Sequence, residues 1–175
     1  MFGIPYNVDF LDFAIQSNLK ILAVRDEGYV VDGNYRSAFG LYRFNSDGTI
    51  DPSFGTNGIV NTQIANNSFA RHIALQSDGK IVVAGLSTDN LIPYPILGGP
   101  SYKRTIVRYY PNGVIDETFG NNGIVTSNDE SCRPYLQPDD KLLCRTPNTL
   151  IRYDRYGAPD IEFGTNGIIF VGPDS

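Results

Sequence analysis

Short apolar runs separated by polar, turn-rich breaks recur along the whole chain. Ile21-Leu22-Ala23-Val24, Ile81-Val82-Val83-Ala84 and Leu142-Leu143-Cys144 each follow a lysine and a polar turn. Runs of this length, bounded by Gly, Asn and Asp, predict strands rather than helices. The segments Gln16 to Lys20, Gln76 to Lys80 and Gln137 to Lys141 read as the turns of β-hairpins. In the middle of the chain the pattern predicts four strands: Ser68–Gln76, Lys80–Leu86, Arg104–Tyr110, and a region Ile115–Thr126 with its own turn.

A longer signature follows each hairpin. It begins at Arg43-Phe44, Arg108-Tyr109 and Arg152-Tyr153, and the step from Arg to Asp51, Asp116 or Asp160 is the same each time. Phe54-Gly55, Phe119-Gly120 and Phe163-Gly164 come next, then Asn57-Gly58-Ile59, Asn122-Gly123-Ile124 and Asn166-Gly167-Ile168. Self-similarity at a fixed step is the mark of a repeat architecture. Four antiparallel strands in series make a blade-like meander with two apolar faces, and stacking on a neighbour buries them. The expected fold is therefore all-β: three four-stranded antiparallel blade-like repeats stacked as a small β-propeller. Their units are approximately 8–64, 65–127 and 128–175 of one domain spanning 1–175.

The combined motif, Gln-x-Asp-Gly-Lys-Ile-x-Val-Ala-Gly and then x-Arg-x-x-x-x-Gly-x-x-Asp-x-x-Phe-Gly-x-x-Gly, resembles the delta-sixty repeat. That resemblance covers nearly the whole chain and implies propeller-like blades. It implies no function, because members of that family are largely uncharacterised. The hairpins depart from the motif at Asn18-Leu19, Asp139-Asp140 and Cys144-Arg145.

Residues present in every unit serve what every unit shares. Arg43, Arg108 and Arg152 are expected to fork onto Asp51, Asp116 and Asp160 and fix strand register; the competing reading is a ring of charges gripping an anion. Phe54, Phe119 and Phe163 are expected to plug the space between blades. The Asn-Gly pairs suit type I′ turns, which need positive φ at both central residues. Asn45-x-Asp47-Gly48-x-x-Asp51 has a faint calcium-loop look. The other units break it at Tyr110-Pro111 and Arg155-Tyr156, so a hairpin turn is preferred and no metal or cofactor is expected.

Charge narrows the partners. Fourteen Lys and Arg against nineteen Asp and Glu give a net charge of −5, and the longest basic run is Lys103-Arg104. Such a chain repels phosphate backbones, so nucleic-acid binding is not expected. No stretch approaches the roughly 20 apolar residues of a membrane helix. Met1-Phe2-Gly3-Ile4-Pro5-Tyr6 lacks the basic-then-apolar pattern of a secretory leader, so the localisation leans intracellular. On that basis Cys132 and Cys144 are expected as free thiols, a cross-strand disulfide being the alternative.

Binding is sought where the copies stop agreeing. From hairpin lysine to signature arginine the chain runs 20 to 43, 80 to 108 and 141 to 152, so the first two units carry extensions on one rim. Tyr29, Tyr35 and Arg36 lie in the first extension, and Tyr94, Tyr102 and Arg104 in the second. These residue types are favoured in binding surfaces; the competing reading is that the extensions cover an open sheet edge. His72, next to Arg71, is expected as a hydrogen-bonded core residue. No catalytic residues are legible. The function expected is a non-catalytic scaffold or binding module for a protein or glycan, with self-association completing a larger ring. The alternative is a glycoside hydrolase or lyase using carboxylates on one face.

Overall fold

The computed structural model describes residues 9–93, 101–128 and 132–172. Within them the chain is all-β, with no helix, and so no helix long and apolar enough to cross a membrane. Strands β1 (Asp12–Ile15), β2 (Ile21–Val31), β3 (Asn34–Phe44) and β4 (Ile59–Thr62) form an antiparallel meander. A second is made of β5 (Asn67–Leu75), β6 (Ile81–Thr88), β8 (Lys103–Tyr109) and β9 (Ile124–Ser127). Between β6 and β8 lies β7 (Ile92–Pro93). The third comprises β10 (Arg133–Leu136), β11 (Leu142–Arg145), β12 (Thr149–Tyr153) and β13 (Ile168–Phe170).

The turns follow from local chemistry. Asn57 and Gly58 hold φ of 53° and 93°, Asn122 and Gly123 50° and 90°, Asn166 and Gly167 53° and 90°. That is the type I′ geometry, whose twist matches the strands it joins. Strand alternation then divides the core. Successive side chains face opposite ways, so Ile81 and Val83 pack with Leu22, Val24 and Phe39 of the first meander, while Val82 and Ala84 pack with Leu142 and Ile151 of the third. Each hydrophobic cluster thus lies between two successive meanders.

Separate blades were expected, but the first two meanders share a nine-stranded sheet. A parallel bridge, Ser37 to Asn67, joins β3 to β5, and Ser68 N donates to Ser37 Oγ at 3.1 Å. The long upper half of β3 makes this possible, since it runs beyond the reach of β4. Farther along, β7 pairs with Asn34 and Tyr35 of β3, so the second extension covers part of that edge. No strand pairing joins the first meander to the third among the described residues.

The cysteines depart from expectation. Cys132 and Cys144 are joined in a disulfide, not free. The hairpin β10–β11 sets their Cα atoms 5.2 Å apart with both side chains buried in the same cluster.

Candidate functional site

Each of the strands β3, β8 and β12 ends one residue past the signature arginine, and a tight turn brings the chain straight back to it. Asp51, Asp116 and Asp160 each donate their backbone N–H to the carbonyl of Arg43, Arg108 and Arg152 at 2.9 Å. The side chains then meet: arginine Nε lies 2.6, 2.8 and 2.7 Å from aspartate Oδ2 in the three units. A lysine from the hairpin turn reaches the same oxygen. Lys20, Lys80 and Lys141 Nζ stand 2.6, 3.4 and 2.9 Å from Asp51, Asp116 and Asp160. The other oxygen accepts from Ser53 Oγ at 2.7 Å and from Thr118 Oγ1 at 2.6 Å in the first two units. In the third, Glu162 offers its N–H alone, at 3.3 Å. Each guanidinium also lies over the signature phenylalanine, 4.5, 4.6 and 4.4 Å from the ring centre.

These partners hold the carboxylates ionised. The hydrogen bonds from Lys20 and Ser53 keep Asp51 well below the usual carboxylate range. Burial pushes Asp116 up, but the Thr118 hydrogen bonds and the Arg108 charge outweigh it and bring the group to about 2. Lys141 lowers Asp160 in the same way, against burial. A carboxylate with both oxygens engaged and so low a proton affinity is a poor general acid or base. Sequence reasoning paired Arg with Asp and overlooked the lysines, although a lysine recurs at the same step in all three hairpins.

The residues expected to bind a partner separate into groups. Tyr35 of β3 stacks on Phe69 of β5, with ring centres 6.2 Å apart and planes 8° apart. Tyr102, just before β8, meets the edge of the same ring at 5.8 Å and 82°. Arg71 lies over Phe69 at 5.5 Å, and its Nη1 is 2.7 Å from Asp26 Oδ2. The two extensions therefore converge on one rim around Phe69, a residue sequence reasoning did not single out. Tyr29 is exposed nearer the β2–β3 tip, opposite half-buried Arg36. Tyr94 lies outside the described residues.

Arg104 is not on that surface. Alternation along β8 puts it on the face of Ile106 and Arg108, toward the third meander, where it is buried. Its Nη2 donates to Tyr153 Oη at 2.8 Å, and both line a cleft of about 450 Å³. The corresponding residue of the first unit is Phe39, which is fully buried in the apolar cluster. A second cleft, about 580 Å³, lies between the first two hairpin turns and includes Gln16, Gln76 and Asp78. Among the described residues, the first cleft has no carboxylate in its lining and the second has Asp78 alone. His72 is half-buried rather than deep in the core. Its Nδ1 is 3.5 Å from Asp12 Oδ2, and burial lowers its proton affinity against the pull of that carboxylate.

Residues 20–54 and 76–119 match a family model described as a domain of unknown function (DUF5122) beta-propeller. The match is to a propeller-repeat family. It bears out the propeller-type repeat expected from the motifs, though not the delta-sixty repeat by name. Both matched stretches run from the hairpin turn to the signature phenylalanine, so they enclose the Lys–Arg–Asp node of the first two units. A comparison with the curated proteins finds no match.

Proposed function

We propose that this chain is a non-catalytic, β-propeller-type binding scaffold of three blades, which presents the Tyr35–Phe69–Tyr102 rim to a glycan or protein. One observation carries the reading. Every signature aspartate is tied to an arginine and a lysine of its own unit, so the repeated charges are spent on holding each blade together. What varies between the units is the pair of extensions, and these assemble an aromatic platform with a cation beside it. Flat rings with polar edges suit stacking on a sugar face or an apolar side chain.

The test combines binding with turnover. The protein is applied to a glycan array and a peptide array, and separately incubated with a panel of polysaccharides. Retention without release of sugar ends is expected. Phe69→Ala and Tyr102→Ala should each weaken retention about tenfold, the size of a modest hot-spot loss. Release of sugar product, or retention indifferent to both substitutions, would overturn the reading.

A further inference from the structure

The two internal contacts between units are built from the same parts, and those parts stand open at the two outer faces. Gly113, in the turn of the second unit, sits buried on Phe54 and Val60 of the first, where a Cβ would come within 2.8 and 2.7 Å of them. Gly157 of the third unit sits likewise on Phe119 and Val125, at 2.9 Å from each. Each turn also gives the preceding arginine a carbonyl two residues before its glycine. Arg43 Nη1 donates to Pro111 O at 2.9 Å, and Arg108 Nη1 donates to Arg155 O.

The matching turn of the first unit carries Gly48, which is exposed and has nothing within 4 Å of its Cβ position. The matching socket of the third unit is Phe163 and Ile169. Phe163 is half-buried where Phe54 and Phe119 are buried, and Ile169 is 38% exposed. Arg152 Nη1 meets no acceptor among the described residues.

The sheet faces repeat the pattern. Ile73 and Leu75 of the second unit pack on the first, yet their first-unit counterparts Phe13 and Ile15 are 67% and 58% exposed. Leu22 and Val82 are buried against the following unit, whereas the third-unit counterpart, Leu143, is half-buried. The hairpin tips differ in a coupled way. Ser77 N and Oγ donate to Asp140 at 2.8 and 2.6 Å, joining the second unit to the third. The third-unit counterpart of Ser77 is Pro138, which has no N–H to donate, and the first-unit counterpart of Asp140 is Leu19, 65% exposed. A polar pair inside the stack becomes an apolar pair at its open ends.

We propose that the third unit of one copy docks head to tail on the first unit of a second copy, seating Gly48 on Phe163 and Ile169. Ser46 O takes the Arg152 Nη1 hydrogen, and Leu19 meets Pro138. The internal interfaces supply the geometry, because the contact continues them. Two copies close a ring through two such contacts, a heterologous interface that ends when its rotation closes. Six units fall within the roughly four to eight of closed propellers. The inference rests on reading the units as blades and is independent of what the rim binds.

Sedimentation equilibrium over a concentration series tests it. The wild-type chain, 19.3 kDa, should approach twice its mass. Leu19→Asp and Ile169→Arg, both at exposed positions on opposite faces, should each weaken association at least about tenfold. Mixing the two variants leaves one contact intact and should restore a two-chain species, which a face-to-face dimer would not do. A wild-type monomer at every concentration overturns the proposal whatever the folding of the variants. So does a two-chain species that survives either substitution. Rim binding by a monomer would leave the scaffold reading standing while removing this one.

Discussion

Arg108 ties two units together through one side chain. Its Nε is 2.8 Å from Asp116 Oδ2 in its own turn, and its Nη1 donates to the Arg155 carbonyl in the next unit. The aspartate therefore orients a guanidinium that also fixes the neighbouring unit. Asp116→Asn would leave a buried cation without its counter-charge, an arrangement that costs about 3 kcal/mol. Urea denaturation should show the midpoint falling with an unchanged slope. The same change at Asp160 should cost a monomeric chain less, because Arg152 is more exposed than Arg108 and, among the described residues of its own chain, makes no contact to another unit.

Acid should weaken the fold through the same three sites. Asp51, Asp116 and Asp160 all bind protons less tightly in the folded chain than the roughly 3.9 of a free aspartate. Their contribution is complete above about pH 5, where both states are ionised. Below that the unfolded chain takes up protons first, so stability falls as pH drops toward the Asp116 value of about 2. The thermal midpoint should change little from these groups between pH 7 and pH 5 and fall steeply from pH 4 to pH 2. Asp116→Asn should flatten that fall, and an unaltered acid limb would remove these carboxylates from the account.

Much of this was legible because it repeats. The Arg-to-Asp step, the hairpin turns and the Asn-Gly pairs recur at fixed spacing, and local chemistry fixes their geometry whatever the neighbours do. In the middle unit the limits of β5, β6 and β8 came within a residue or two, whereas only Ile124–Ser127 of the expected Ile115–Thr126 region forms a strand. Features set by non-local register were not legible. Whether Arg104 faces solvent or the next unit depends on its pairing with Leu86. The bridge from Ser37 to Asn67 and the docking of β7 on β3 join segments with no shared motif. The rim was only half legible: its tyrosines stood out in the extensions, while Phe69 looked like an ordinary strand residue until Tyr35 and Tyr102 closed on it.

Gly85 marks where that rim is supported. It lies in β6 opposite Ala70, beside an irregularity in the β5–β6 register. A Cβ there would stand 1.9 Å from the Phe69 carbonyl oxygen and 3.0 Å from the Phe39 ring. The nearer obstacle is backbone, which no rotamer change can move aside. Gly85→Ala should therefore destabilise by about 3 kcal/mol, the upper part of the usual overpacking range. It should also displace Phe69 and weaken the rim binding proposed above. A variant that melts like the wild type would show that β5 tolerates the shift.

The Cys132–Cys144 bond closes a loop with a sequence separation of 12. In the chain-entropy account, a cross-link of that length restricts the unfolded state by about 3 kcal/mol. Both sulfurs lie in the cluster between the second and third units, with Leu142 and Ile151. Reduced thiols would still fit there as small apolar groups, so reduction should lower stability without dismantling the third meander. Alkylation of protein unfolded without reductant should leave both cysteines unlabelled, and added reductant should expose both. The thermal midpoint should drop on reduction, while the circular dichroism of the folded state stays the same. Labelling of both cysteines without reductant would show that the pair is held as thiols and that the third unit is held without a covalent cross-link.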